Sequence, residues 1–314
     1  MAKVELHKLN GDTSWLVRLP TTTVSNAGQS LHYNLVLDPW LHPAPQIDGA
    51  AIFSRQTRIE PAAHASLAQL DQWLHSQSQA EQIDAILFSH PFSDHLHPQT
   101  ITDQHSLAIL QQATVFTTAD SLPAFRSLKL DSGRLVNLSS TSTKHDADQN
   151  DIVPAGIHIH HLPARDWALS PAWNKLHSGI LISCSNTTQN HTVELLYSPH
   201  GITPTSIPLG LTQIKVKRQG TTRVLIHSFD RQTLPLIGTV ACGFPNVLDL
   251  IPTFNPDCVL VTHDEHKRAQ GIVGRLLTRK TFPIQHAQTL LKHRYPSTQC
   301  TLKHLAPGET ISIP

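Results

Sequence analysis

The chain has 314 residues, of which 39% are hydrophobic and only 15% are charged, a balance that suits one large or two small globular domains. Its formal net charge of +1 offers no global footprint for nucleic acid or an anionic membrane surface, and no apolar run reaches the ~20 residues of a membrane-spanning helix. Cys184, Cys242, Cys258 and Cys300 are far apart and form no Cys-x-x-Cys pair, so neither a cysteine zinc site nor a disulfide framework is expected.

The first residues, Met1-Ala2-Lys3-Val4-Glu5-Leu6-His7, hold no continuous apolar stretch, which predicts a cytoplasmic protein. Short strands are predicted over residues 4–6, 14–19 and 32–37, the second and third joined by a long connection. The third runs into Asp38-Pro39-Trp40, where an acid and a proline just past an apolar run read as a turn. A supporting role for Asp38 behind a site is the alternative. Residues 42–60 read as a loop rich in Pro and Ala. Leu67, Leu70 and Leu74 then recur at helical spacing, and a strand follows over 83–89. Strand, helix, strand favours a layered α/β fold.

Beyond it, a helix around 107–110, a strand at 114–117, a helix at 121–128 and a strand at 134–138 are expected, then a polar loop over 139–151. Strands follow over 156–162, 179–184 and 193–197, the last two as a hairpin, and residues 202–221 read as a long loop. A strand at 224–226, a helix at 246–251, a strand at 258–261, a helix at 284–291 and a terminal strand pair around Gly308 complete the chain. No linker divides it, so 1–314 is read as one domain.

Reactive residues gather where apolar strands end. Ala85 to Phe88 is followed at once by His90, Asp94, His95 and His97. A buried strand followed by a polar cluster is how α/β folds present reactive groups. Imidazole with carboxylate is the usual ligand set of zinc and other borderline divalent ions. With 22 His in the chain, one such cluster could equally be a His-rich surface loop. Three further strands, however, end near Asp166, His200 and His263.

Together these segments resemble the metallo-β-lactamase fold superfamily, whose signature H-x-H-x-D-H follows a buried strand. Here it reads His90-Pro91-Phe92-Ser93-Asp94-His95. Asp38-Pro39-Trp40 is similar to the early DP turn of the branch that holds ascorbate-6-phosphate lactonase and N-acyl-phosphatidylethanolamine phospholipase D. Leu162-Pro163-Ala164-Arg165-Asp166-Trp167 is similar to its PAxHW segment, and Leu305-Ala306-Pro307-Gly308-Glu309 to its closing PGE turn. The likeness covers nearly the whole chain. It implies a four-layer αββα sandwich with a metal site at one edge of its two sheets.

Carried over by position, His90 matches the first ligand, Asp94 and His95 the second-metal pair, and His263 the C-terminal histidine. Phe92 stands in place of the second His, Asp166 in place of the third, and His200 in place of the bridging Asp. Phe92 cannot bind a metal, so the first of the two usual sites is damaged. The resemblance thus implies a metal set of His90, Asp94, His95, Asp166, His200 and His263, with Asp94 also orienting or deprotonating a water. Such ligation suits Zn, with Mn or Fe compatible, and one ion is expected rather than two.

The implied function is metal-dependent hydrolysis of an ester, lactone, thioester, amide or phosphodiester in a small organic or lipid-like substrate. The alternative is a degenerate, non-catalytic member of the fold that serves as a ligand-binding or interaction protein. Neither a nucleic-acid partner nor stable membrane insertion is expected. His97, Asp264 and His266 are expected to be solvated, and Trp40, Trp167 and Trp173 to pack in the core or line a cleft.

Overall fold

The computed structural model describes residues 3–24, 30–141, 152–164, 175–186, 190–208, 220–235 and 237–314. Seven strands form one sheet, in the order Thr310–Ile313, Val4–Lys8, Trp15–Val24, Ser30–Leu37, Ala85–Phe88, Thr114–Thr117 and Arg134–Asn137. Six form a second, in the order Thr301–Lys303, Cys258–Val261, Thr221–His227, His191–Ser198, Gly179–Asn186 and Ile157–Leu162.

The layering follows from how each strand spends its side chains. Successive residues of a strand point to opposite faces. Ala85-Ile86-Leu87-Phe88 is nonetheless buried throughout, because both faces are covered. Ala85 and Leu87 join Val17, Leu35, Ile180, Leu195, Val224 and Leu260 in a cluster between the two sheets. Ile86 and Phe88 face the other way, onto Leu67, Leu70 and Leu74 of the helix Leu67–Gln77. On the second sheet, Leu196, Leu225 and Val259 pack against Val247 and Ile251 of the helix Phe244–Phe254 and Leu291 of the helix Ile284–Arg294. The result is the expected αββα arrangement.

Parallel pairing aligns the strand ends that matter. Leu37 is in register with Leu87, Ser198 with His227, and His227 with Val261. Residues 38, 89–95, 200 and 263 therefore emerge along corresponding strand ends of the two sheets. Helix Phe244–Phe254 starts from Gly243, at φ 66, where an added Cβ would stand 2.6 Å from the Arg231 amide nitrogen. Only glycine fits that close approach.

The structure corrects several sequence expectations. Residues 42–60 are not simply loop. They hold the strands Gln46–Ile47 and Arg55–Arg58, which form a small sheet with Lys267–Gln270. A second small sheet joins Gly238–Ala241, Arg231–Leu234 and Thr278–Lys280. Sequences such as RQTR and KRAQ carry no apolar alternation, so the pattern conceals them. Nor do the last two strands pair with each other. Thr301–Lys303 joins the second sheet and Thr310–Ile313 the first, so the chain end ties the sheets together. The polar stretch after residue 137 opens with a helical turn, Leu138–Thr141, and its remainder at 142–151 lies outside the described residues.

Leu87→Ala, at the centre of the inter-sheet cluster, is expected to lower stability by about 2–5 kcal/mol in urea unfolding. Ile59→Ala, at a side chain 63% exposed, is expected to stay within about 0.5 kcal/mol. Equal effects would contradict the layering.

Candidate metal centre

Asp38 anchors the site. It ends the strand Ser30–Leu37 in a left-handed conformation, φ 44, and is fully buried. Its Oδ1 accepts the Ser89 amide at 2.7 Å. Its Oδ2 accepts from His95 Nδ1 at 2.7 Å and from the Tyr197 hydroxyl at 2.7 Å, and also meets Ser89 Oγ. Tyr197 comes from the second sheet, so one carboxylate joins the two. Burial, followed by the charge of Asp38, holds the Tyr197 phenol well above its ordinary pKa, which keeps it a donor.

Three imidazoles then converge, two of them oriented by a hydrogen bond at the rear nitrogen. His95 presents Nδ1 to Asp38. His200 presents Nδ1 to the Val240 carbonyl at 3.1 Å, an oxygen that can only accept. In both rings the proton therefore sits on Nδ1, and the lone pair of Nε2 points forward. Those two Nε2 atoms lie 2.9 Å apart. Two lone pairs at that distance repel unless a proton or a metal ion lies between them. Two ligands of one tetrahedral zinc stand about 3.3 Å apart, given Zn–N bonds of about 2.0–2.1 Å. His95 is itself held toward its charged form. Burial opposes it, yet the carboxylates of Asp94 and Asp38 outweigh burial and raise its pKa.

His263, at φ 60 just past the strand Cys258–Val261, supplies the third ring. Its Nε2 is 3.1 Å from Asp94 Oδ2, and Asp94 Oδ1 is 3.8 Å from His95 Nε2. Its rear nitrogen, Nδ1, is buried without a hydrogen-bond partner and stands 3.9 Å from the equally unpartnered Oδ1 of Asp12. A ligating histidine backed by a carboxylate is the usual outer arrangement of a metal site. Asp12 is set in place by Asn10, whose Oδ1 accepts the amides of Asp12 and Ser14 at 2.9 and 3.0 Å. The motif loop is fixed in its turn by Ser93 N donating to Asp48 at 2.9 Å and by Thr13 Oγ1 donating to the Asp94 carbonyl at 2.7 Å.

Among the described residues, three groups bring His and Asp donors within 4.8 Å of one another: His95/His200/His263, Asp38/His90/His95 and Asp12/Asp94/His263. The second group is already saturated by Ser89, Tyr197 and the His95 proton. The third holds the ammonium of Lys267, 2.6 Å from Asp12 Oδ2 and 3.6 Å from Asp94 Oδ2. The first sets the forward nitrogens of His95 and His200 beside His263 Nε2, which meets Asp94, and fits a divalent ion that would take the place of the proton between His263 and Asp94. Burial alone would raise the Asp94 pKa, but His95, the hydrogen bond from His263 and the Lys267 charge hold it well below the ordinary carboxylate range. His200 is held well below the ordinary histidine value by burial, then by His263 and His95. Its imidazole is therefore held neutral.

The sequence-derived residues take different places. Asp94, His95, His200 and His263 come together. His90 stays beside them, its ring 4.6 Å from that of His95, but its Nε2 lies 2.9 Å from the Leu176 carbonyl and so carries a proton. Its Nδ1 is 2.6 Å from Ser89 Oγ. Asp166, with Trp167 and Trp173, lies outside the described residues. Phe92 stands edge-on to His200, ring centroids 6.3 Å apart, and lines a cavity of about 170 Å³ that opens onto Asp94, His200 and His263. Phe53, Leu176, Leu234, Val240 and Leu277 complete its apolar wall, with Lys267 among the polar groups.

Two expected solvated groups are structural instead. His97 is buried and accepts the Thr100 amide at the start of the helix Pro98–Thr102. Asp264 accepts the amides of Phe229 and Asp230. His266 is exposed, as expected, and Trp40 is buried. Sequence reasoning missed Asp12, Tyr197 and Lys267. Asn10-Gly11-Asp12 reads as an ordinary turn, and Tyr197 as one more apolar strand residue. Lys267, four residues past His263, gives no signal before the fold is known.

Asp38→Asn keeps the shape but sets an amide donor against groups that already donate. It is expected to lower stability by about 1–3 kcal/mol in urea unfolding. Divalent-ion affinity, read by chelator competition, is expected to fall about 10- to 100-fold. A variant unchanged in both would remove Asp38 from the account.

Scans against models of protein families and against curated proteins give no match. Among solved structures, the chain is similar to isothiocyanate hydrolase from Delia radicum gut bacteria, with a TM-score of 0.57 and 13% identity over 98% of this chain and 99% of that one. It is similar to CmlA, a diiron β-hydroxylase from Streptomyces venezuelae, with a TM-score of 0.54 and 13% identity over 100% of this chain and 55% of that one. It is also similar to unliganded yeast PDE1, with a TM-score of 0.52 and 11% identity over 100% of both chains. All three have the metallo-β-lactamase fold. At such identities the likeness concerns the fold, and it agrees with the two sheets, their helical covers and the His/Asp cluster at the sheet edge: this chain is a protein of the metallo-β-lactamase fold.

Proposed function

We propose that the chain is a metal-dependent hydrolase. It holds one divalent ion, zinc in the first instance, on His95, His200, His263 and Asp94. Its substrate is an ester, lactone, thioester, amide or phosphodiester with an apolar remainder. The observation that carries this reading is the pair of forward-facing Nε2 lone pairs of His95 and His200, with His263 beside them, at the floor of an apolar cavity. When bound, such an ion lowers the pKa of a coordinated water and polarises a carbonyl or phosphoryl oxygen.

The residues of the chain supply the rest. Asp94, kept ionised, faces the cavity and can orient a water or take its proton. Lys267 holds Asp94 and Asp12 in place, its own charge favoured by both carboxylates over the cost of burial. Phe53, Phe92, Leu176, Leu234 and Leu277 bind the apolar part of the substrate and keep bulk water away. Phe92 thus serves as a cavity wall where the fold commonly has a ligand. One ion follows from that exchange, and from the turn of His90 toward Leu176. A hydrolase among the fold neighbours supports the reaction class by analogy.

The same two departures, Phe92 and His90, favour a second reading, a metal-bearing binding protein without turnover. Elemental analysis of the purified chain is expected to find about one equivalent of divalent metal. Hydrolysis of p-nitrophenyl esters of increasing acyl length is expected, with His95→Ala and His263→Ala losing both the metal and the turnover. Metal with no turnover on any ester, thioester or phosphodiester would favour the binding protein. No metal, even after reloading, would exclude both.

A further inference from the structure

We propose that the chain docks the mouth of this cavity onto an anionic lipid surface. Among the described residues, seven large apolar side chains are exposed. Two of them, Phe53 and Ile237, line the cavity, and four more, Ile47, Ile52, Ile272 and Leu276, directly adjoin the lining residues Gln46, Phe53, Val273 and Leu277 in the chain. Ile52, 81% exposed, is the most exposed of the six. The rim is held by backbone. The Ile272 amide donates to the Ile52 carbonyl at 3.1 Å and the Val273 amide to the Phe53 carbonyl at 2.9 Å. Gly271, at φ 81, permits that approach, since an added Cβ would meet the Phe53 carbonyl oxygen at 2.7 Å. Ile272 and Leu276 are four residues apart on the helix Gly271–Leu276 and so share a face. Ile47 sits opposite Arg55 in the small sheet.

Charge selects the occupant. The segments that build the rim, residues 45–59, 231–241 and 266–283, carry a single carboxylate, Asp48. That carboxylate lines the cavity and is half-buried, its Oδ1 accepting the Ser93 amide. The same segments carry Arg55, Arg231, Arg268, Arg275 and Lys280, all exposed. The whole chain, by contrast, balances 24 basic against 23 acidic residues. An exposed apolar patch ringed by cations matches a surface with apolar depth and anionic heads. A second copy fits worse, because a twofold contact through the rim would set its arginines against those of the copy. Each exposed arginine close to an anionic surface raises partitioning about fivefold, an effect that decays within a Debye length of about 8–10 Å. The contact is peripheral: no helix among the described residues is long and apolar enough to cross a membrane. An amphiphile leaving the lipid surface would pass from one apolar surface to the next on its way to Asp94.

The test is co-sedimentation of the full chain with phosphatidylcholine vesicles, with and without phosphatidylglycerol, at low and high salt. It needs no turnover, so it stands apart from the hydrolase reading. Binding to the anionic vesicles is expected to exceed binding to the neutral ones by about tenfold or more at low salt. The triple variant I52S/I272S/L276S is expected to lose about tenfold or more of that binding, and R55E/R268E/R275E to lose the preference for anionic lipid. All six side chains are exposed, so both variants should keep the parent thermal transition and metal content. Failure of the parent chain to bind vesicles would overturn the proposal. So would undiminished binding by a folded triple variant, or self-association of the parent chain that I52S/I272S/L276S abolishes.

Discussion

A fully buried carboxylate with three side-chain neighbours is the point on which this molecule turns. A carboxylate withdrawn from water is costly unless donors replace the solvent. Asp38 receives the Ser89 amide and His95 from its own side and Tyr197 from the facing sheet. The interaction therefore does two things at once. It closes the sandwich at the edge where the strands end, and it fixes the tautomer of His95. From that tautomer it follows that Nε2 of His95 faces His200, ready to share a proton or a metal ion with it. The left-handed backbone at Asp38 and at His263 is local strain at two residues of the same site.

The fold departs from the two-ion pattern it resembles, and the departures form a consistent set. Where a ligand is replaced by Phe92, the apolar cavity gains a wall. Where His90 keeps its identity, its nitrogens are taken up by Leu176 and Ser89. Where an aspartate would bridge two ions, His200 offers a neutral nitrogen. On the far side, Lys267 stands between Asp12 and Asp94 as a resident cation. These departures fit the proposed single ion beside an apolar cavity.

Much of this was legible in the sequence, for identifiable reasons. Ala85 to Phe88 and Cys258 to Val261 are short apolar runs ending in polar clusters, and strands covered on both faces read that way. Four residues of the centre lie just past such strand ends or in the motif loop that follows one. The small sheets that build the cavity mouth were not legible, because RQTR and KRAQ are polar and pair within a small sheet apart from the two large ones. The rim was hidden for a related reason. A net charge near zero averages away a basic face, and Ile52 and Ile272 are far apart until the chain folds. Asp12 and Tyr197 escaped because a turn aspartate and a strand tyrosine carry no mark of the carboxylate and imidazole they meet.

The central claim is one ion held by three imidazoles and one carboxylate. X-ray absorption at the zinc K-edge of the zinc-loaded chain tests it most directly. The account predicts a four- or five-coordinate N/O shell of about 2.0–2.1 Å with outer scattering from three imidazoles and no metal–metal distance. A metal–metal vector of about 3.5–4 Å, or a shell with fewer than two imidazoles, would contradict it.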